Sequence, residues 1–108
     1  MAEGMELTTA IYRLTARFPM EEKYGLASQM KRAAVSVPSN IAEGQARHGT
    51  GEFLQFLSHA SGSLAELETQ LMLSIDLGFC QGVEVDPLVQ NIGELQKMIV
   101  AIRRKLAS

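Results

Sequence analysis

The 108-residue chain has no tryptophan, one cysteine and three prolines, and aromatic residues make up only 6% of it. Each shortage excludes something. The lone Cys80 can close neither an intrachain disulfide nor a cysteine-based zinc site. The longest unbroken apolar run, Met98 to Ile102, falls far short of the ~20 residues that a membrane span requires. The opening residues Met1 to Glu6 hold two acids and no apolar segment, so no signal peptide is expected. A net charge of −2 excludes a general nucleic-acid coat, whose sequence-independent grip rests on neutralising phosphates. A reduced cytoplasmic protein without a membrane partner is expected, and the length predicts one domain over residues 1–108.

What is present is helical. Hydrophobic residues reach 46%, supplied mainly by Leu, Ala and six Met, which favour helix over strand. Four stretches carry apolar residues at alternating spacings of three and four, the mark of a helix with one buried seam. They are Leu7-Ile11-Leu14-Phe18, Ala27-Met30-Ala34-Val37-Ile41, Phe53-Leu57-Ala60-Leu64-Leu67-Leu71 and Leu88-Ile92-Leu95-Ile99-Ile102-Leu106. No stretch alternates with period two for long enough to suggest a strand. The fold class is all-α.

The breaks fall between the seams. Pro19 ends the first helix after Phe18, because a residue before proline avoids the helical region. Gly49 or Thr50 can cap the third helix, with Glu52 in its first turn. Gly78 and Gly82 bracket the next break, and Asp86-Pro87 are expected to open the last helix as N-cap and first helical residue. Pro38 lies inside the second seam, which resumes in phase at Ile41; a kink is favoured there over a break. Ala27 with Leu71, Met30 with Leu67, Ala34 with Leu64 and Ile41 with Leu57 have position numbers whose sums agree to within one. The same holds between the first and second seams and between the third and fourth. Each sum is centred on its loop, so an antiparallel up-down-up-down four-helix bundle is expected.

Catalytic patterns are missing. Neither His48 nor His59 has an acid three residues before it, so no inward Glu-x-x-His motif of a di-iron bundle exists. There is no Gly-x-Ser-x-Gly elbow and no phosphate-cradling glycine loop with a lysine. Cys80 reads as a small apolar residue, since nothing in the spacing gives it a base. No enzyme activity, metal or cofactor is expected. Two charges do sit on apolar arcs, Lys31 on the second helix and Glu68 on the third. A buried charge is costly unless paired. They are expected to approach across the hairpin as a structural ion pair; an acid–base pair in a pocket and snorkelling to water are the alternatives.

The segment Tyr12-Arg13-Leu14-Thr15, Phe18-Pro19, Tyr24-Gly25-Leu26 and Gln29 to Gly44 closely resembles a known bacterial family, its run Ala34-Val35-Ser36-Val37-Pro38-Ser39-Asn40-Ile41-Ala42-Glu43-Gly44 being the most specific part. The resemblance continues through Glu52-Phe53, Phe56-Leu57, Ala60, Gly62-Ser63 and Glu66 to Leu71, reaching Leu77-Gly78-Phe79. This is the four-helix bundle family named after proteins encoded in intervening sequences of 23S ribosomal RNA genes. The accessory protein of diversity-generating retroelements, a strongly basic ring of five bundles engaging nucleic acid and a reverse transcriptase, looks like a more distant relative. The resemblance implies a small cytosolic bundle, pentameric, with no established enzymatic activity. The chain departs from the pattern at Gly49-Thr50-Gly51, where relatives often carry a serine cap and lysines.

Two functions are therefore expected in order. The first is a non-enzymatic oligomeric scaffold or adaptor that presents a surface to a protein partner. The apolar residues that the third and fourth helices add to their seams, Leu54, Phe56, Met72, Ile75, Val89 and Val100, exceed what one small bundle needs. Together with the resemblance they favour a head-to-tail homopentamer. The second is an RNA-binding accessory protein, with Lys31, Arg32, Arg47, Arg103, Arg104 and Lys105 as contacts.

Overall fold

A computed structural model describes residues 2–107. The elements are α1 (Ala2–Thr15), a single 3-10 turn (Met20–Glu22), α2 (Leu26–Gln45), α3 (Thr50–Asp76) and α4 (Gly82–Ala107), with no strand among the described residues. The four seams become one core. Leu7 and Ile11 of α1, Met30 and Val37 of α2, Leu57, Leu64, Leu67 and Leu71 of α3, and Val85, Ile92, Leu95 and Ile99 of α4 are all 2% exposed or less. Each such side chain stabilises the fold by roughly 1.5–3 kcal/mol through burial.

Contacts between neighbours join opposite ends, as the constant sums require. Gly44, near the end of α2, meets Phe53 and Phe56 at the start of α3, while Ser74 near the end of α3 donates to the Met30 sulfur, 3.4 Å away. Between them Ser36 is hydrogen-bonded to Ser63. Across α3 and α4, Gln96 Nε2 donates to the Ser61 carbonyl at 3.0 Å while Ser61 donates to Gln96 Oε1 at 2.8 Å. The α1 end closes on the start of α4. There the Phe18 and Phe79 rings lie 5.4 Å apart and Arg17 Nη2 sits 2.7 Å from Glu84 Oε1.

The helix ends follow local chemistry. Gly49, in extended backbone, caps α3 and accepts from the Phe53 amide at 3.1 Å. At the other end Gly78 adopts φ +80°, and the Gly78 and Phe79 amides donate to Ile75 and Ser74. That paired return is a Schellman closure, and a positive φ favours glycine. The α4 start differs from the expected one. It begins at Gly82 instead of after Asp86, because Gln81 is the cap: its amide donates to Glu84 Oε2 at 2.8 Å and its carbonyl accepts from the Glu84 and Val85 amides. Half a capping box and the complete burial of Val85 together add a turn ahead of Pro87. Pro87 is thus inside the helix, and the Val83 carbonyl, which loses its usual amide donor there, belongs to a residue 74% exposed. In α2 the helix likewise carries through Pro38 without a break.

Candidate functional site

A concavity of about 710 Å³ runs along the outer face of α2. Ser28, Lys31, Arg32, Val35, Ser39 and Glu43 repeat at spacings of three and four, so one face of the helix presents them all. Tyr12 of α1 forms one wall. Lys23 and Tyr24 form the end, and the turn before α2 places them there. Pro19 starts that 3-10 turn, and Glu22 Oε1 accepts the Leu26 amide at 3.1 Å, closing the N-terminus of α2. Tyr24 is left 88% exposed.

Cations and rings alternate in this groove. Lys31 Nζ stands 5.4 Å from the Tyr12 ring centre and Lys23 Nζ stands 5.6 Å from that of Tyr24. Both distances are those of cation–π contact. Lys23, Lys31 and Arg32 face Glu43 as the one acid on the lining, so the groove is positive on a chain that is negative overall. Its floor is held in place: Asn40 Nδ2 donates to the Ser36 carbonyl at 2.7 Å, and Ser36 is anchored to α3 through Ser63. A smaller hollow of about 230 Å³, with Met20 and Pro19 on its rim, adjoins it and shares Lys23 and Lys31.

The expected Lys31–Glu68 ion pair is not made. Lys31 is half-buried against Tyr12, whereas Glu68 is exposed on α3 beside Ala65, Thr69 and Met72. The reason is rotational. The residues of α3 that meet α2 include Ser63 and Ser74; Glu68 lies roughly 120–140° around the helix from both. Lys31 flanks the apolar arc on its α1 side, where an aromatic ring rather than a carboxylate receives it.

The other expected basic contacts are dispersed. Arg32 joins Lys31 in the groove, but Arg47 lies at the α2–α3 loop, 5.1 Å over the Phe56 ring and 3.8 Å from Glu43. Arg103 donates to Ser58 at 2.6 Å, and Arg104 borders a depression of about 390 Å³ with Lys97, Val100 and Ala101. Lys105 is exposed in the last turn of α4. The apolar periodicity alone does not place Tyr12, Lys23 and Tyr24 in a groove. The available signal was a Lys-Tyr pair in a turn where neither residue belongs to an apolar seam.

Cys80 is half-buried against the core. Burial pushes its thiol above the ordinary value, the Glu84 carboxylate adds to this, and Arg17 opposes both. No group of three or more His, Cys, Asp or Glu among the described residues could hold a metal ion. No described helix is long and apolar enough to cross a membrane.

Four helices around one apolar core, with polar clasps between neighbours, define an all-α four-helix bundle protein. Over residues 1–101 the chain matches the 23S rRNA-intervening sequence protein family, and it belongs to that family. It is also similar to a crystal structure from Bacteroides thetaiotaomicron, described as a protein with unknown function from the S23 ribosomal protein family. The two share 19% identity and a TM-score of 0.83, with 94% of each chain covered, which establishes a common fold. No functionally curated protein matches the chain.

Proposed function

We propose that this protein is a non-enzymatic, self-associating scaffold or adaptor. The observation that carries the reading is apolar surface left outside the core on α3 and α4. Met72 and Leu73 of the first, Leu77 just past its end, and Met98 and Val100 of the second are each 41% exposed or more. Covering such side chains releases roughly 25 cal/mol per Å² of apolar surface; of the residues expected to exceed the needs of the core, Met72 and Val100 remain exposed while Leu54, Ile75 and Val89 pack against it. The family resemblance favours identical subunits closed head to tail into a ring of five, a heterologous interface. Light scattering at micromolar concentration tests the reading. The expected mass is five times the 11.8 kDa of one chain; a monomer overturns self-association, and a dimer overturns the ring alone. Val100→Glu is expected to lower the mass. A second reading, an RNA-binding accessory protein, draws support from the positive, tyrosine-lined groove of α2.

A further inference from the structure

We infer that the α2 groove is a track for a single-stranded nucleic acid, held by stacking on Tyr12 and Tyr24 and by phosphate contacts to Lys23, Lys31 and Arg32. The inference rests on the second, nucleic-acid-binding reading of the α2 groove and not on self-association.

Three features point to this occupant. The first is charge: three cations and one acid line the groove of a chain whose net charge is −2. The second is the pairing of each exposed ring with an ammonium group, 5.4 Å away at Tyr12 and 5.6 Å at Tyr24. Each ammonium takes one face of its ring, so a base stacks on the face left open, Tyr24 being 88% exposed and Tyr12 46%, with its adjoining phosphate near that cation; rings and cations together bind single strands without sequence preference. The third is shape. The groove is open, and Lys23 and Lys31 stand between it and a neighbouring hollow whose other lining residues carry no charge. A duplex is a poor fit, because its bases are already stacked and cannot reach the tyrosine rings. An acidic peptide would satisfy the cations but leave both rings without a planar partner.

Fluorescence anisotropy with a fluorescein-labelled uridine dodecamer, measured across a salt series, tests the inference. Binding is expected to weaken linearly in log–log form with salt. The double variant Lys31→Gln/Arg32→Gln is expected to lose affinity and to flatten that slope by about 1.4, the value for two phosphate contacts on a single strand. Tyr24→Ala removes an exposed ring outside the core, so the fold is retained. It is expected to weaken binding about 5- to 140-fold with the slope unchanged, and Tyr24→Phe to restore it. Arg104→Gln, on α4, is expected to bind as the wild type does. No binding at low salt overturns the inference. So does wild-type affinity in Tyr24→Ala, equal binding of a duplex or a poly-glutamate peptide, or a loss in Arg104→Gln matching that of the groove variant.

Discussion

The Thr8 hydroxyl of α1 lies 3.0 Å from the carbonyl oxygen of Ala34, the oxygen that Pro38 leaves without an amide donor in α2. The same hydroxyl is 2.8 Å from the Gly4 carbonyl, which is already on the α1 ladder four residues back. Its single proton therefore adds most when it points at Ala34. A proline inside a helix is tolerated here because a neighbouring helix supplies the missing donor.

Thr8→Val keeps the shape and removes that donor, so it is expected to destabilise the protein by about 1 kcal/mol. In a Pro38→Ala background the restored backbone amide can serve the Ala34 carbonyl itself, and the cost of Thr8→Val is expected to shrink toward zero. Chemical denaturation of the four proteins in a double-mutant cycle measures the difference. Equal costs in both backgrounds would remove the link between Thr8 and Pro38.

Gly44 and Gly62 are expected to respond to alanine with opposite signs. A Cβ on Gly44 would stand 2.8 Å from Phe53 Cδ1 and 2.9 Å from Phe56 Cβ, whereas one on Gly62 meets nothing within 4 Å. Phe56 Cβ is close to the α3 backbone and cannot rotate away. Gly44→Ala is therefore expected to cost about 1–3 kcal/mol through overpacking, despite the better helix propensity of alanine. Gly62→Ala, free of contacts inside α3, is expected to gain about 0.4–1 kcal/mol. Thermal melts of both variants check the pair of signs.

Glu84 ties two loops and carries a pH dependence. Its carboxylate is held below the usual range by the Gln81 amide first, with Arg17 adding to the effect against partial desolvation. A depressed carboxyl stabilises the folded state above its unfolded value, and that contribution is lost as pH falls through the folded value. Glu84→Gln is expected to lower stability at neutral pH and to have a smaller effect in acid, where the wild type is already protonated. The same variant removes one of the groups holding the Cys80 thiol up, so its alkylation by iodoacetamide is expected to begin at lower pH. Denaturation midpoints against pH, and alkylation rates against pH, test the two arms.

Much of the bundle was legible in one dimension. The seams from Leu7 to Ile99 needed only the 3.6-residue period and the preference of apolar groups to leave water, and the position sums needed only short loops. Gly49 and Gly78 announced themselves as helix ends because backbone conformation is a local property. The α4 start was not legible as such: Asp86-Pro87 is a sound local signal, but Val85 is buried and Glu84 closes on Gln81, and the added core contact outweighs the proline preference.

Side-chain partners were less legible still. A helical wheel gives the angle of Lys31 but not which neighbour stands at that angle, and a shift of roughly 100° decides between a carboxylate on α3 and a ring on α1. The basic residues Lys31, Arg32, Arg47 and Arg104 could be counted in the sequence; only packing assigns the first two to one groove with Lys23, Tyr12 and Tyr24 and sends the others elsewhere. Period and composition thus determined the helices, their order and the core, because those depend on each segment's own polarity pattern. The tertiary structure alone decided the groove, the Thr8–Ala34 contact and the Arg17–Glu84 tie, because each depends on how residues from different helices are rotated toward one another.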